Sequence, residues 1–200
     1  MMTCDLHFRL GFLGMILFSG LIADAYGLSK NEIDQMYYDA EYYFTLGNFT
    51  QAMQIYDDIL RIDPNYSEAI AGKGAVFHRM GNYSSAIEFY DKAISLNSTN
   101  PFFLSDKGNA MLAIGLDVEA EKYLSSTLSI LPTHVDALNG LGNVYSFQKN
   151  YDEEIIYRTS VLIIEPDNLE SLVGMRNAYS ELNDFDKAIS YFDQALILST

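Results

Sequence analysis

Residues 47–65, GNFTQAMQIYDDILRIDPN, contain a pattern that returns every 34 residues without an insertion or a deletion. The recurrence is carried by small, aromatic and proline positions: Gly47, Gly81 and Gly115; Ala52, Ala86, Ala120 and Ala188; Tyr56 and Tyr90; Pro64, Pro132 and Pro166. A fixed period of this length is typical of repeat arrays, in which each repeat packs only against its neighbours. The chain is therefore predicted to be an array of repeats.

Each repeat is predicted to be a pair of helices. In the first repeat, Ser29 and Glu32 have the spacing of a capping box, and helices are expected over residues 30–46 and 50–62. Pro64 ends the second helix because proline cannot continue the hydrogen-bond ladder. The same plan divides the chain into repeats at residues 33–66, 67–100, 101–134, 135–168 and 169–200.

The fourth repeat departs most from the pattern. Glu154 stands where the other repeats have alanine, and Arg158 stands where the first two have tyrosine. A buried carboxylate without a partner would cost several kcal/mol, so Glu154 is expected to reach solvent or to pair. Arg158 is the candidate partner because residues four apart share a helix face.

Four columns of recurring residues resemble the tetratricopeptide repeat: Gly74, Gly108 and Gly142; Tyr43, Phe77, Tyr145 and Tyr179; the recurring alanines; and the recurring prolines. The resemblance covers residues 33–200, although that repeat's usual tryptophan is replaced by the apolar residues Met36, Ile70, Leu104, Leu138 and Leu172. It implies an all-α fold, a right-handed α-solenoid of about five helical hairpins whose first helices line a concave groove. It also implies that the chain is a protein-interaction scaffold.

The N-terminal segment has the pattern of a secretory signal. An uncharged run at residues 10–22 follows Arg9 and precedes Ala23-Asp24-Ala25, a small-x-small cleavage pattern. A signal peptide is therefore predicted at residues 1–25, followed by a short lead-in at 26–32, with export to the cell exterior or envelope. The apolar run is shorter than the roughly 20 residues that span a bilayer, so anchoring by an uncleaved segment is the alternative.

Composition and motif content favour a binding protein over an enzyme. The formal net charge of −15 disfavours nucleic acid and favours neutral or basic partners. Cys4 is the single cysteine, and the mature histidines, His78 and His134, lie in different repeats without a second ligand nearby. No nucleophile accompanies them, so no catalytic residue, metal or cofactor is expected. The alternative is an accessory or structural component of a cell-envelope assembly or of a polymer-processing enzyme complex.

Four Asn-x-Ser/Thr sequons begin at Asn48, Asn65, Asn82 and Asn97. In an exported protein these are acceptors for glycosylation. The alternative is structural: Asn48 and Asn82 cap the second helices, and Asn65 and Asn97 are turn residues. The sequence does not distinguish the two.

The resemblance also indicates which residues face the groove. Asn109, Asn143 and Asn177 recur beside the packing stripe of successive first helices. An amide offers both a donor and an acceptor, so a row of them can bind the backbone of an extended peptide, unless asparagine is simply common in this column. The predicted peptide-binding set is completed by Tyr37, Glu41, Phe44 and His78. Arg79 is the nearby cation on this face, which disfavours a clamp for a terminal carboxylate.

The last helix is predicted to have an apolar outer face that associates with another surface. It carries Phe192, Ala195, Leu196 and Leu198, and repeat arrays need terminal units with a polar outer face. This edge is expected to self-associate or to be covered by another chain.

Overall fold

The computed structural model describes residues 28–198, and in this part of the chain all regular structure is helical. The helices are α1 (Lys30–Thr45), α2 (Phe49–Ile62), α3 (Ser67–Arg79), α4 (Tyr83–Leu96), α5 (Pro101–Ala113), α6 (Asp117–Ile130), α7 (Val135–Phe147), α8 (Tyr151–Ile164), α9 (Leu169–Glu181) and α10 (Phe185–Leu198). The all-α prediction is confirmed for these residues. The predicted signal peptide at 1–25 lies outside them.

The described residues divide into two compact units, the first ending at Tyr66 and the second beginning at Ser67. In the described part of the first unit, α1 packs against α2. In the second unit the two helices of each hairpin pack together, and each second helix packs against the first helix of the next hairpin. The first helices α3, α5, α7 and α9 also contact one another in order. This layer of first helices positions the candidate site.

Side-chain caps start several helices where the sequence predicts them. The Glu32 carboxylate accepts a hydrogen bond from the Ser29 backbone N–H at 2.8 Å, as a capping box requires. The Oδ1 atoms of Asn48 and Asn82 each accept from a backbone N–H three residues later at 3.3 Å. The predicted capping role of these two asparagines is therefore confirmed.

The turn inside each hairpin needs a left-handed residue. Gly47, Gly81 and Gly115 have φ between 74° and 78°, whereas the fourth and fifth hairpins place Lys149 (φ 58°) and Asn183 (φ 61°) there. A side chain in this region costs roughly 1 kcal/mol, and asparagine tolerates it better than lysine. The fourth hairpin thus departs from the repeat at its turn as well as at Glu154.

Large side chains pack onto glycines between helices of the second unit. A β-carbon on Gly74 would lie 2.8 Å from Cε1 of Tyr90, and one on Gly108 would lie 2.8 Å from Cγ of Leu124. A β-carbon on Gly140 of the next hairpin would likewise lie 2.9 Å from Cδ1 of Leu124. Contacts this short leave no room for a side chain at these glycines, which explains why small and large residues recur together in the sequence.

His134 caps α7 with its ring. Its Nδ1 accepts a hydrogen bond from the Ala137 backbone N–H at 3.3 Å, and the ring lies 5.1 Å from that of Phe102. Burial lowers the pKa of His134, although the Asp136 carboxylate partly opposes this. Both the hydrogen bond and the burial therefore require the neutral imidazole.

Acidification is expected to destabilise the chain through His134. Because its folded pKa lies below the unfolded value of about 6.5, the unfolded state binds more protons there. The contribution of His134 to the free energy of unfolding is therefore complete above about pH 6.5 and falls as the pH drops below it. His134→Asn should reduce this dependence, since Asn168 caps α9 from the same column. Urea unfolding of both proteins at about pH 7.5 and 5 tests this, and identical pH dependence would contradict it. His78, whose pKa is also lowered, accounts for some residual dependence.

None of the helices between residues 28 and 198 has the length and apolar content needed to span a bilayer.

Candidate functional site

The second unit contains a cavity of about 650 Å³, which we call the first pocket. Residues from α3, α4, α5, α7 and α9 line it: His78, Tyr83, Tyr90, Asp106, Asn109, Leu112, Ala113, Asp136, Asn139, Gly140, Asn143, Phe147 and Glu170. Three residues of the predicted peptide-binding set, His78, Asn109 and Asn143, are thus brought together.

The first pocket is acidic. Asp106, Asp136 and Glu170 contribute carboxylates, and no lysine or arginine is among the described residues that line it. Burial lowers the pKa of His78, and the nearby Arg79 lowers it further, so this imidazole is neutral at neutral pH. The walls therefore carry only negative formal charge, and walls of one sign concentrate ligands of the opposite sign.

The pocket also has an apolar and aromatic part. Tyr83 meets His78 edge to face, with ring centroids 5.1 Å apart. Phe147 is 66% exposed, and Leu112 of the preceding hairpin lines the same pocket. Apolar walls with a few polar groups are typical of ligand-binding sites in proteins.

Asn143 is held by charged neighbours. Arg158 Nη2 donates to Asn143 Oδ1 at 2.8 Å, and Asn143 Nδ2 donates to Glu170 Oε1 at 3.0 Å. Arg158 Nε in turn donates to Glu154 Oε1 at 2.7 Å. Glu154 and Arg158 are only 1% and 4% exposed, so the predicted pairing of Glu154 is confirmed, and the pair is buried.

The three recurring asparagines do not act as equivalent members of a row. Asn109 is half-buried in the first pocket, and Asn143 is committed to Arg158 and Glu170. Asn177 is exposed and lines a second pocket of about 410 Å³. The other residues of this second pocket are Ser146, Phe147, Lys149, Tyr151, Glu154, Ala178, Ser180 and Glu181. Phe147 belongs to both pockets.

The remaining predicted residues belong to the first unit. Glu41 Oε1 accepts a hydrogen bond from the Tyr56 hydroxyl at 2.5 Å. Burial and this carboxylate raise the pKa of Tyr56 far above its usual value, so the hydroxyl stays protonated and donates. The Tyr37 ring lies 5.9 Å from that of Tyr66, and the Phe44 ring lies 5.9 Å from that of Phe49. In this unit, Tyr37, Glu41 and Phe44 thus help to pack α1.

Lys107 has a structural role that the sequence did not indicate. Its side chain is buried, and Nζ bonds to the Asp91 carboxylate and, at 2.8 Å, to the Tyr123 hydroxyl. Burial lowers the pKa of Lys107, but these hydrogen bonds outweigh it and raise the pKa overall. A lysine tied in this way does not offer its ammonium to a peptide carboxylate.

Asp136 and Glu170 were also missed as pocket residues. They occupy the same column of successive repeats, in the first turns of α7 and α9. That shared column was the signal available in the sequence. Among residues 28–198, no group of three or more histidine, cysteine or acidic side chains is arranged to hold a metal ion.

The four sequon asparagines are all exposed. Asn48 and Asn82 use their amide oxygens as caps, whereas a glycan would attach to the amide nitrogen. Capping and glycosylation are therefore compatible at these positions.

Helix α10 exposes a broad apolar surface. Phe185, Ile189, Phe192 and Leu196 are each about half exposed or more. Ala195, which was predicted to lie on the apolar outer face, is instead buried. Its small side chain packs inward, as do the residues of the same column in the earlier repeats, Ile59, Ala93, Thr127 and Val161.

Similar solved structures include "MamA", at 26% identity and a TM-score of 0.68, covering 80% of this chain and 94% of that chain. PilF of Pseudomonas aeruginosa is 22% identical with a TM-score of 0.75, covering 82% and 75% of the two chains. YrrB, described as "a TPR protein with an unusual peptide-binding site", is 18% identical with a TM-score of 0.65, covering 90% and 92%. A sequence comparison with curated proteins gives no significant match.

Three family profiles match the sequence, each described as "Tetratricopeptide repeat". They cover residues 40–66, 67–100 and 171–200, which lie within the first, second and fifth predicted repeats. The third and fourth repeats between them have the same pair of packed helices. Residues 40–66, 67–100 and 171–200 are therefore tetratricopeptide repeats.

Proposed function

We propose that this protein is a non-catalytic interaction scaffold that binds a segment of a partner protein in the first pocket. The observation that carries the proposal is the pocket itself, a cavity of about 650 Å³ built from successive hairpins and lined by amides, carboxylates and aromatic rings. Tetratricopeptide proteins bind protein or peptide partners, and YrrB is described as having a peptide-binding site. Both support a peptide as the ligand.

The charge of the site favours a neutral or basic partner. The chain has a formal net charge of −15, and the first pocket is lined by three carboxylates and a neutral histidine. Nucleic acid would be repelled by this field. The buried, paired Lys107 also supports the view that the site does not grip a peptide's terminal carboxylate.

We assign the peptide-backbone contacts to Asn109 in the first pocket and to Asn177 in the second. Asn143 keeps its place in the predicted binding set by shaping the pocket, because Arg158 and Glu170 already engage its amide. Replacing all three asparagines at once would therefore remove peptide contacts and also disturb the buried bonds of Asn143. The two effects on binding could not be separated. Asn109 and Asn177 give the cleaner test.

Selection of a phage-displayed library of random linear peptides on the purified chain tests this function. Asn109→Ala is expected to weaken binding of a selected peptide about tenfold, equivalent to about 1.4 kcal/mol, with unchanged helicity. Gln54→Ala, an exposed amide of α2 that lines neither pocket, is the matched control. Equal affinity of the wild type and the Asn109→Ala protein would place the peptide elsewhere.

We also propose that the protein is exported with loss of residues 1–25 and glycosylated in a host that modifies sequons. The apolar run before Ala25 and the exposure of Asn48, Asn65, Asn82 and Asn97 support this. N-terminal sequencing and the intact mass of protein from its natural source test it. A mature chain that begins at Met1 and sediments with membranes would favour anchoring by an uncleaved segment.

A second candidate function, a structural or accessory component of an assembly, is favoured by the exposed apolar surface of α10. In the third hairpin the residue of the Phe192 column, Leu124, is covered by the next first helix at Gly140. A second copy meeting α10 would cover it in the same way. Equilibrium ultracentrifugation should show association that Phe192→Glu weakens, and a monomer at every concentration would exclude self-association.

A further inference from the structure

The buried pair of Glu154 and Arg158 replaces an apolar contact of the repeat. In the third hairpin the corresponding residues are Ala120 and Leu124, and Leu124 packs on Gly108 and Gly140. Arg158 occupies the same space: β-carbons on Gly142 and Gly174 would lie 3.2 Å and 1.9 Å from its side chain. An alanine and a leucine could therefore fill the space that Glu154 and Arg158 occupy. The need to fill this space does not explain why the two residues are charged.

Arg158 determines which way the Asn143 amide faces. A guanidinium has only donors, so the amide oxygen of Asn143 must point to Arg158 Nη2. The amide nitrogen is then directed to Glu170 Oε1. The amide is thereby withdrawn from peptide recognition, and the carboxylate of Glu170 is held in the wall of the first pocket.

We propose that Glu154 and Arg158 are positioning residues that make the first pocket selective for a cationic side chain, the ammonium of lysine or the guanidinium of arginine. This rests on the function proposed above and narrows its ligand. Glu154 fixes Arg158, Arg158 fixes Asn143, and Asn143 fixes Glu170, which faces the ligand together with Asp106 and Asp136. Phe147 and Tyr83 supply aromatic surface on which the cation's alkyl stem can pack.

Direct contact with the ligand is assigned only to Glu170, Asp106 and Asp136. Arg158 acts on Glu170 through two hydrogen bonds, so removing both members of the pair should alter the preference between ligands more than the stability of the fold. Glu154→Ala with Arg158→Leu copies the third hairpin and removes the pair without leaving an unpaired charge. Glu170→Gln keeps the pair and removes the charge at the end of the chain of contacts.

The test measures a ratio of affinities. Peptides selected on the wild-type chain are synthesised with their lysines, and again with norleucine in place of lysine, and titrated by calorimetry. The wild type should prefer the lysine form at least tenfold. The E154A/R158L protein and the E170Q protein should each lose most of that preference while still binding the norleucine form. Asp152→Asn, a carboxylate of α8 that lines neither pocket, should leave the preference unchanged.

The outcomes separate this proposal from the proposed function. Peptides that bind the wild type equally well with lysine or norleucine overturn the selectivity and leave the peptide-binding function standing. A preference that survives in E154A/R158L overturns the positioning role, and one that survives in E170Q overturns the contact assigned to Glu170. If E154A/R158L loses its helicity, E170Q alone decides. A library that yields no binder overturns both the function and this inference.

Discussion

Glu154→Ala is expected to lower the free energy of unfolding by about 3 to 5 kcal/mol, because it leaves the guanidinium of Arg158 buried without its carboxylate. Arg158 would retain only its bond to Asn143, since its Nη1 atom has no partner even in the native structure. The midpoint of urea unfolding, followed by the helical circular dichroism signal, measures this loss.

The double variant is the matched control for this prediction. Replacing Glu154 by alanine together with Arg158 by leucine restores the apolar contact of the third hairpin, and exchanges of buried ion pairs for apolar residues are often neutral or stabilising. We therefore expect it to be close to the wild type in stability. If the single and double variants lose the same amount, the pair contributes nothing beyond the volume of its atoms.

Tyr90→Ala is the second change with a large expected effect. The ring is fully buried against Gly74, and removing a buried aromatic side chain typically costs about 3 to 5 kcal/mol. Gly74→Ala should cost about 1 to 3 kcal/mol by overpacking, because its β-carbon would lie 2.8 Å from the ring.

The two changes should not add. In the double variant the methyl group of the new alanine enters the space left by the ring, so the total loss should be smaller than the sum. Urea unfolding of the two single variants and the double variant closes this cycle. Tyr90→Phe, which keeps the ring, should lose much less than Tyr90→Ala. Additive losses would mean that Gly74 and Tyr90 do not form the small-to-large contact that the repeat predicts.

The helices could be predicted because their signals are local. Capping residues, turn glycines and prolines recur with the 34-residue period, and the first hairpin's helices end within one residue of the predicted positions, at Thr45 and Ile62. The left-handed turn at Lys149 could not be read in the same way, since no glycine marks it. The turn at Lys149 is indicated by the position of this residue in the repeat and not by its residue type.

The site was predicted only in part because it depends on contacts between hairpins. The column of asparagines was predicted to form one row, whereas Asn109 and Asn143 line one pocket and Asn177 lines another. Asn143 of α7 is hydrogen-bonded to Arg158 of α8 and to Glu170 of α9. No spacing within a single helix relates these three residues. Glu154 and Arg158 were recognisable as a pair because they are four residues apart on one helix, whereas the partners of that pair were not.

The most direct test of partner binding in the first pocket is to locate the bound partner. A photo-crosslinking amino acid at Phe147, which lines both pockets, is compared with the same amino acid at Ile163, which is 76% exposed and lines neither. Each protein is irradiated in an extract of its natural source, and the crosslinked segments are identified by mass spectrometry. We expect a discrete segment containing lysine or arginine to be crosslinked at Phe147, to be displaced by the selected lysine peptide, and to be absent at Ile163. A partner captured equally at both positions, or one that the peptide does not displace, would contradict partner binding in the first pocket.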